Sequence, residues 1–309
     1  MDSCQVQGRP DLYGLGLRVA FYIQWFGAII VEYLEVADLP DIRLIGLLFS
    51  AAAFFGLIVK VTVTTLQPAD VYIVFLLAMG IYFFLVPLYI WKALTCFNPY
   101  WNPFRWAKED PSPAFKGLSF TLLLALTALG IWFWCSFVPE NPCSSSQCGF
   151  FFSCVKLGNK AFVAFNAILC FAILLVCVVV LLLKMGWKIP FWRQRRKKRR
   201  ISRFCRAVHV MLVKETKTLS NIAVAATLTA AVELTISWNH IQDVNNISDV
   251  VQMLPLFISA GFLVRILFLH FAGANESSDS SEEDSDGESS SDMTESQGGL
   301  PPPPPVHPR

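Results

Sequence analysis

Seven long apolar stretches dominate this chain, at about 17–37, 42–63, 70–93, 117–138, 160–183, 218–239 and 250–271. A helix crossing a hydrocarbon core of about 30 Å needs roughly 20 mostly apolar residues, and each stretch can supply them. Hydrophobic residues make up 54% of the 309 positions and Phe alone occurs 26 times, which sets aside a soluble domain of this size. The expected fold class is all-α: a polytopic transmembrane helical bundle of seven spans over 17–271, preceded by a short segment 1–16.

The net charge of +2 is a cancellation between two strongly charged segments, a basic loop at 184–217 and an acidic tail at 272–309. Basic loops are retained on the cytoplasmic side, so the 184–217 loop fixes an orientation. The N-terminus and the 139–159 and 240–249 loops then face outward, and the C-terminal tail lies in the cytoplasm. With Arg265 and Arg309 set aside, about 18 Lys and Arg residues fall inside and about 5 outside. Arg9 and Arg18, ahead of the first span, argue the other way, but the excess in the loop is far larger. Met1 to Gly14 lacks a basic region followed by a short apolar core, so the first span is expected to act as its own insertion signal.

Nine cysteines occur with no Cys-x-x-Cys pair and no nearby histidine pair, so neither a metal site nor a cofactor is expected. The orientation places Cys4, Cys135, Cys143, Cys148 and Cys154 on the oxidising side, with Cys143–Cys148 a candidate disulfide. Disulfides persist outside the cytosol, which points to the plasma membrane or a secretory-pathway membrane. Cys170 and Cys177 suit apolar packing within span five, while Cys96 and Cys205 lie where palmitoylation takes place.

Ionisable groups within a bilayer cost a few kcal/mol each, which makes Glu32, Glu233, Arg265 and His270 candidates for function. Span one and span seven both run inward, and Glu32 and Arg265 lie at nearly the same height, so an ion pair between them is allowed. Glu233, near the outer end of span six, is within reach of Arg18 instead. Such charges serve either a proton or ion pathway or an interhelical lock that holds spans one, six and seven in register. Asn166 and Thr127 suit hydrogen bonds across helices, and Trp238-Asn239-His240 suits an interfacial cap or an outer vestibule.

Between residues 184 and 206 there are eleven Lys and Arg and no acid. Arg193, Arg195, Arg196, Lys197, Lys198, Arg199 and Arg200 form the candidate contact with anionic lipid, each contributing roughly 1 kcal/mol near such a leaflet. The flanking spans tether this loop to a membrane, so nucleic acid is not an expected partner. Ile201, Phe204, Cys205, Val208, Met211 and Leu212 recur at helical spacing, as an interfacial helix or as an extension of span six. Arg199-Arg200-Ile201-Ser202 fits basic-directed kinases, and Ser280, Ser281, Ser285 and Ser289 precede acids as acidic-directed kinases require. The tail is expected to be disordered, and its Pro301–Pro305 run is a polyproline II segment suited to a polyproline-binding cytoplasmic domain.

The blocks Asp11-Leu12-Tyr13-Gly14-Leu15-Gly16-Leu17-Arg18 and Leu66-Gln67-Pro68-Ala69-Asp70-Val71-Tyr72, with Glu233 to Ile241 followed by Arg265, resemble a functionally uncharacterised group of multi-spanning membrane proteins from filamentous fungi. The resemblance covers most of 4–271 and implies an integral membrane protein. It carries over no activity and no catalytic residue.

An enzyme is not expected: the chain has no Gly-x-Ser-x-Gly elbow and no His-Glu-x-x-His helix, and its four histidines lie far apart. A rhodopsin-like photoreceptor is excluded because span seven has no lysine. The expected function is a non-enzymatic seven-span sensor or adaptor with an anionic-lipid-binding cytoplasmic loop. The alternative is a small-solute or ion transporter or channel, which would use Glu32, Glu233 and Arg265.

Overall fold

The computed structural model describes residues 7–34, 39–94, 113–150, 153–184, 203–246 and 250–279. The chain divides into two compact units, 1–267 and 268–309. Among the described residues, six helices are long and apolar enough to cross a membrane, and a bent helix pair makes a seventh if counted as one span. These are the helices of a multi-pass membrane protein.

Helix α1 (Pro10–Tyr13) runs into α2 (Leu15–Tyr33), and α3 (Leu39–Val63) returns antiparallel to it. Next come α4 (Pro68–Phe83) and α5 (Leu85–Leu94), which meet at 46°. Pro87 lies in the first turn of α5 and has no N–H for the carbonyl of Phe83, which accounts for the break. Helix α6 (Pro113–Trp132) passes through a π-helical turn, Phe133–Phe137, into the short α7 (Val138–Glu140). A 3-10 turn, Pro142–Ser145, leads to a two-stranded antiparallel hairpin, β1 (Cys148–Phe150) and β2 (Cys154–Lys156). Helices α8 (Lys160–Lys184), α9 (Arg203–Trp238) and α10 (Val250–Asp279) complete the order.

Two ends follow from this connectivity: the hairpin end, with the starts of α2 and α4 and the finish of α9, and the opposite end, with the finish of α2 and the start of α3. The seven expected stretches correspond to these helices with shifted ends. From Arg203 to Leu212 the expected amphipathic stretch is continuous with the rest of α9, as an extension of the sixth span. Helix α10 runs on to Asp279, so the expected boundary of the tail at 272 falls inside a helix.

Helix α4 is the centre of the first unit. Every residue from Pro68 to Gly80 is buried, as is Tyr82, because the helix is apolar on all sides and α2, α3, α6 and α9 surround it. Gly80 lets α2 approach: a Cβ there would stand 2.2 Å from the Trp25 ring. By contrast α8 and α10 bury little, and Ile168, Leu175, Leu254 and Phe257 present the apolar outer surface that lipid covers.

The 139–159 loop does not contain the expected Cys143–Cys148 bridge. Cys148 is bonded to Cys154, not to Cys143, with the two Cα atoms 5.3 Å apart. The reversal after Phe150 brings Cys154 back beside β1, whereas the 3-10 turn directs Cys143 inward, where it is buried in a disulfide of its own.

Candidate functional site

Polar residues gather at both ends of the seam between α2 and α9. At the hairpin end the guanidinium of Arg18 is fully buried and donates from Nη1 to Glu233 Oε2 at 2.5 Å. Its Nη2 donates to the Val244 carbonyl at 3.2 Å and to Asn245 Oδ1 at 2.8 Å. The other carboxylate oxygen of Glu233 accepts from Tyr22 at 2.8 Å. An arginine presents its donors in a fixed fork, so one residue of α2 ties down both α9 and the loop that follows it.

A second network lies beside this one. Gln67 caps α4 through a reciprocal box in which its N–H donates to Asp70 Oδ2 at 3.1 Å. The free oxygen of Asp70 accepts from the hydroxyl of Tyr13, in a bond that joins α1 to α4. Gln147 accepts from the Ala69 N–H at 2.9 Å and donates to the Gln67 side chain at 2.8 Å, which fixes the start of the hairpin onto α4. The Asn239 amide pairs with both backbone groups of Cys148, each at 2.8 Å, and so fixes the hairpin onto the end of α9. Lys60 and Asp11 pair at 2.5 Å on the rim.

The opposite end is simpler. Glu32, in the last turn of α2, accepts from Lys217 of α9 and lies 3.3 Å from Arg43 of α3. Lys214, one turn from Lys217, stands 5.3 Å from the ring centre of Tyr33.

These positions resolve the sequence candidates. Arg18 does reach Glu233. The allowed Glu32–Arg265 pair does not form: Glu32 is engaged by Lys217 and Arg43, and Arg265 is exposed on α10. Ile266, the next residue, is the one that packs with Val31 and Ile42. Glu32 is also less deep than its expected span implied, since α2 ends at Tyr33. Thr127 and Asn166 bond the carbonyls of Leu123 and Phe162, one turn back on their own helices, and not across helices. Trp238-Asn239 forms a cap against the hairpin, with Phe150 stacked on Trp238 at 6.2 Å.

The basic residues Arg193 to Arg200, together with Ser202, Ser280, Ser281, Ser285, Ser289, Cys4, Cys96, the Cys205 side chain and the proline run, lie outside the described residues. Tyr13, Asp70, Tyr22 and Gln147 were not among the sequence candidates. Asp70 had a signal: Gln67-Pro68 with an acid at the third helical position is a helix start, and it marks a carboxylate held at a span's edge. Among the described residues no cluster of His, Cys, Asp or Glu is grouped to hold a metal ion.

The chain matches no family model, no curated protein and no solved structure.

Proposed function

We propose that this chain is a non-enzymatic, sensor-type or adaptor membrane protein in which α9 links the hairpin end to an anionic-lipid contact at the other end. The observation that carries the reading is the continuity of α9. One unbroken helix bears Glu233 in the hairpin-end network and Lys217 in the opposite cluster, and its first residue, Arg203, follows the basic 193–200 segment closely in sequence. A helix held at two heights moves as a rod, so a change in the hairpin-end network alters the Glu32–Lys217 contact and the basic segment together. In this reading the hairpin end is exoplasmic and the 184–217 loop cytoplasmic, in a plasma or secretory-pathway membrane.

Hydrogen exchange of the 193–213 segment tests the proposal, with the protein in nanodiscs of zwitterionic lipid alone or mixed with phosphatidylserine. Protection that requires phosphatidylserine and changes with Glu233→Gln is the expected result. Exchange indifferent to lipid charge, or to the substitution, would sink it.

The alternative of a transporter or channel draws on the 46° break between α4 and α5 and on ion pairs closing both ends of one seam. Solute flux in proteoliposomes that Glu233→Gln abolishes would favour that alternative.

A further inference from the structure

The hairpin that grips the end of α9 has strands of three residues each, too short to hold register unaided. Its staple is the Cys148–Cys154 bridge, and the two sulfurs' residues differ in access: Cys148 is partly buried and Cys154 is exposed. Cys148 is also the residue whose N–H and C=O are both held by the Asn239 side chain, which in turn donates to the Thr235 carbonyl at 2.7 Å. One covalent bond thus positions the peptide groups that hold the Asn239 side chain at the end of α9.

That closure is under local tension. His240, immediately past the helix, has φ of 49°, a left-handed conformation that glycine usually supplies. Its N–H donates to the Ser237 carbonyl and the Ile241 N–H to the Ile236 carbonyl, each at 3.2 Å, so the turn is complete but carries a side chain that disfavours it.

From this placement we propose that Cys148–Cys154 is a thiol-reducible clasp, opened by an exoplasmic dithiol, whose reduction frees the hairpin end of α9. A thiolate of the dithiol attacks the Cys154 sulfur, the S–S bond breaks, and Cys148 leaves as a thiolate and takes up a proton. The second thiolate of the dithiol then attacks the mixed disulfide, closing the dithiol's own disulfide and releasing Cys154 as a thiol. Two electrons and two protons pass from the dithiol to the bridge.

The bridge joins residues only six apart in sequence, and chain-entropy stabilisation grows with loop length, so its loss leaves the bundle folded. Cys143, in the other disulfide, is buried and less accessible to the same reagent. Transmission of the release to the opposite end rests on the role proposed above for α9; the release itself does not.

The test treats the full-length protein in nanodiscs with dithiothreitol, identifies reduced cysteines by alkylation and mass spectrometry, and follows amide exchange along α9. Cys148 and Cys154 should be alkylated before Cys143, and exchange at Trp238–Ile241 should rise about tenfold without global unfolding. Asn239→Ala should raise exchange there with the bridge intact, and the Cys148→Ser, Cys154→Ser double variant should raise it without reductant. Earlier alkylation of Cys143, loss of the whole fold on reduction, or unchanged exchange at 238–241 would each overturn the clasp. A rise at 238–241 with no change at 214–220 would uphold the clasp and count against α9 as the transmitting element.

Discussion

The two ends of the α2–α9 seam hold their charges differently. At the hairpin end Arg18 has no exposed side-chain surface and has three acceptors from α9 and the following loop, one of them Glu233, which also accepts from Tyr22. At the opposite end Glu32, Lys217 and Arg43 keep 24%, 25% and 42% of their side chains exposed and meet at the rim. A buried charge is costly to leave unpaired, whereas a rim charge finds headgroups and water. The first cluster is therefore a fixed point of the bundle and the second an adjustable contact.

Substitutions can break this contrast. Arg18→Met should have the largest effect, about 3 kcal/mol of unfolding free energy in lipid, at the lower end for a broken buried pair because the Glu233 side chain is 43% exposed. Asp70→Ala removes both the cap of α4 and the acceptor of Tyr13, and should cost about 2 kcal/mol by the same assay. Glu32→Gln should cost under about 1 kcal/mol, and its effect should shrink as salt is raised while that of Arg18→Met persists. If Glu32→Gln were the more damaging of the two glutamate and arginine changes, the assignment of fixed and adjustable ends would be reversed. The smallest effect is a gain: His240→Gly should stabilise by roughly 0.5 kcal/mol by relieving the left-handed turn, read as a raised melting temperature.

The sequence made the helices legible because runs of about 20 apolar residues have few other uses. Heights were legible as well: counting along spans at 1.5 Å per residue brought Arg18 to Glu233. Azimuth was not. Arg265 and Glu32 share a height, yet the neighbouring Ile266 faces the bundle, and no count along a span reveals which side of a helix meets its neighbours. The central place of α4 was hidden for a related reason, since all the spans are similarly apolar and only packing distinguishes one surrounded by protein from one surrounded by lipid. Cysteine pairing depends on where the chain reverses, and the turn between β1 and β2 carries no Asn-Gly or Asp-Gly to announce it.

The claim that α9 joins the two ends is tested most directly by a double-mutant cycle of Glu233→Gln and Glu32→Gln, with unfolding followed in nanodiscs. Arg18 and Glu32, which mark the two ends on α2, are separated by roughly 21 Å along the helix, a distance at which independent sites add to within about 0.5 kcal/mol. A coupled α9 predicts a non-additive cycle, with the second substitution costing less once the first has released the helix. Additive effects would show two independent locks and contradict the account.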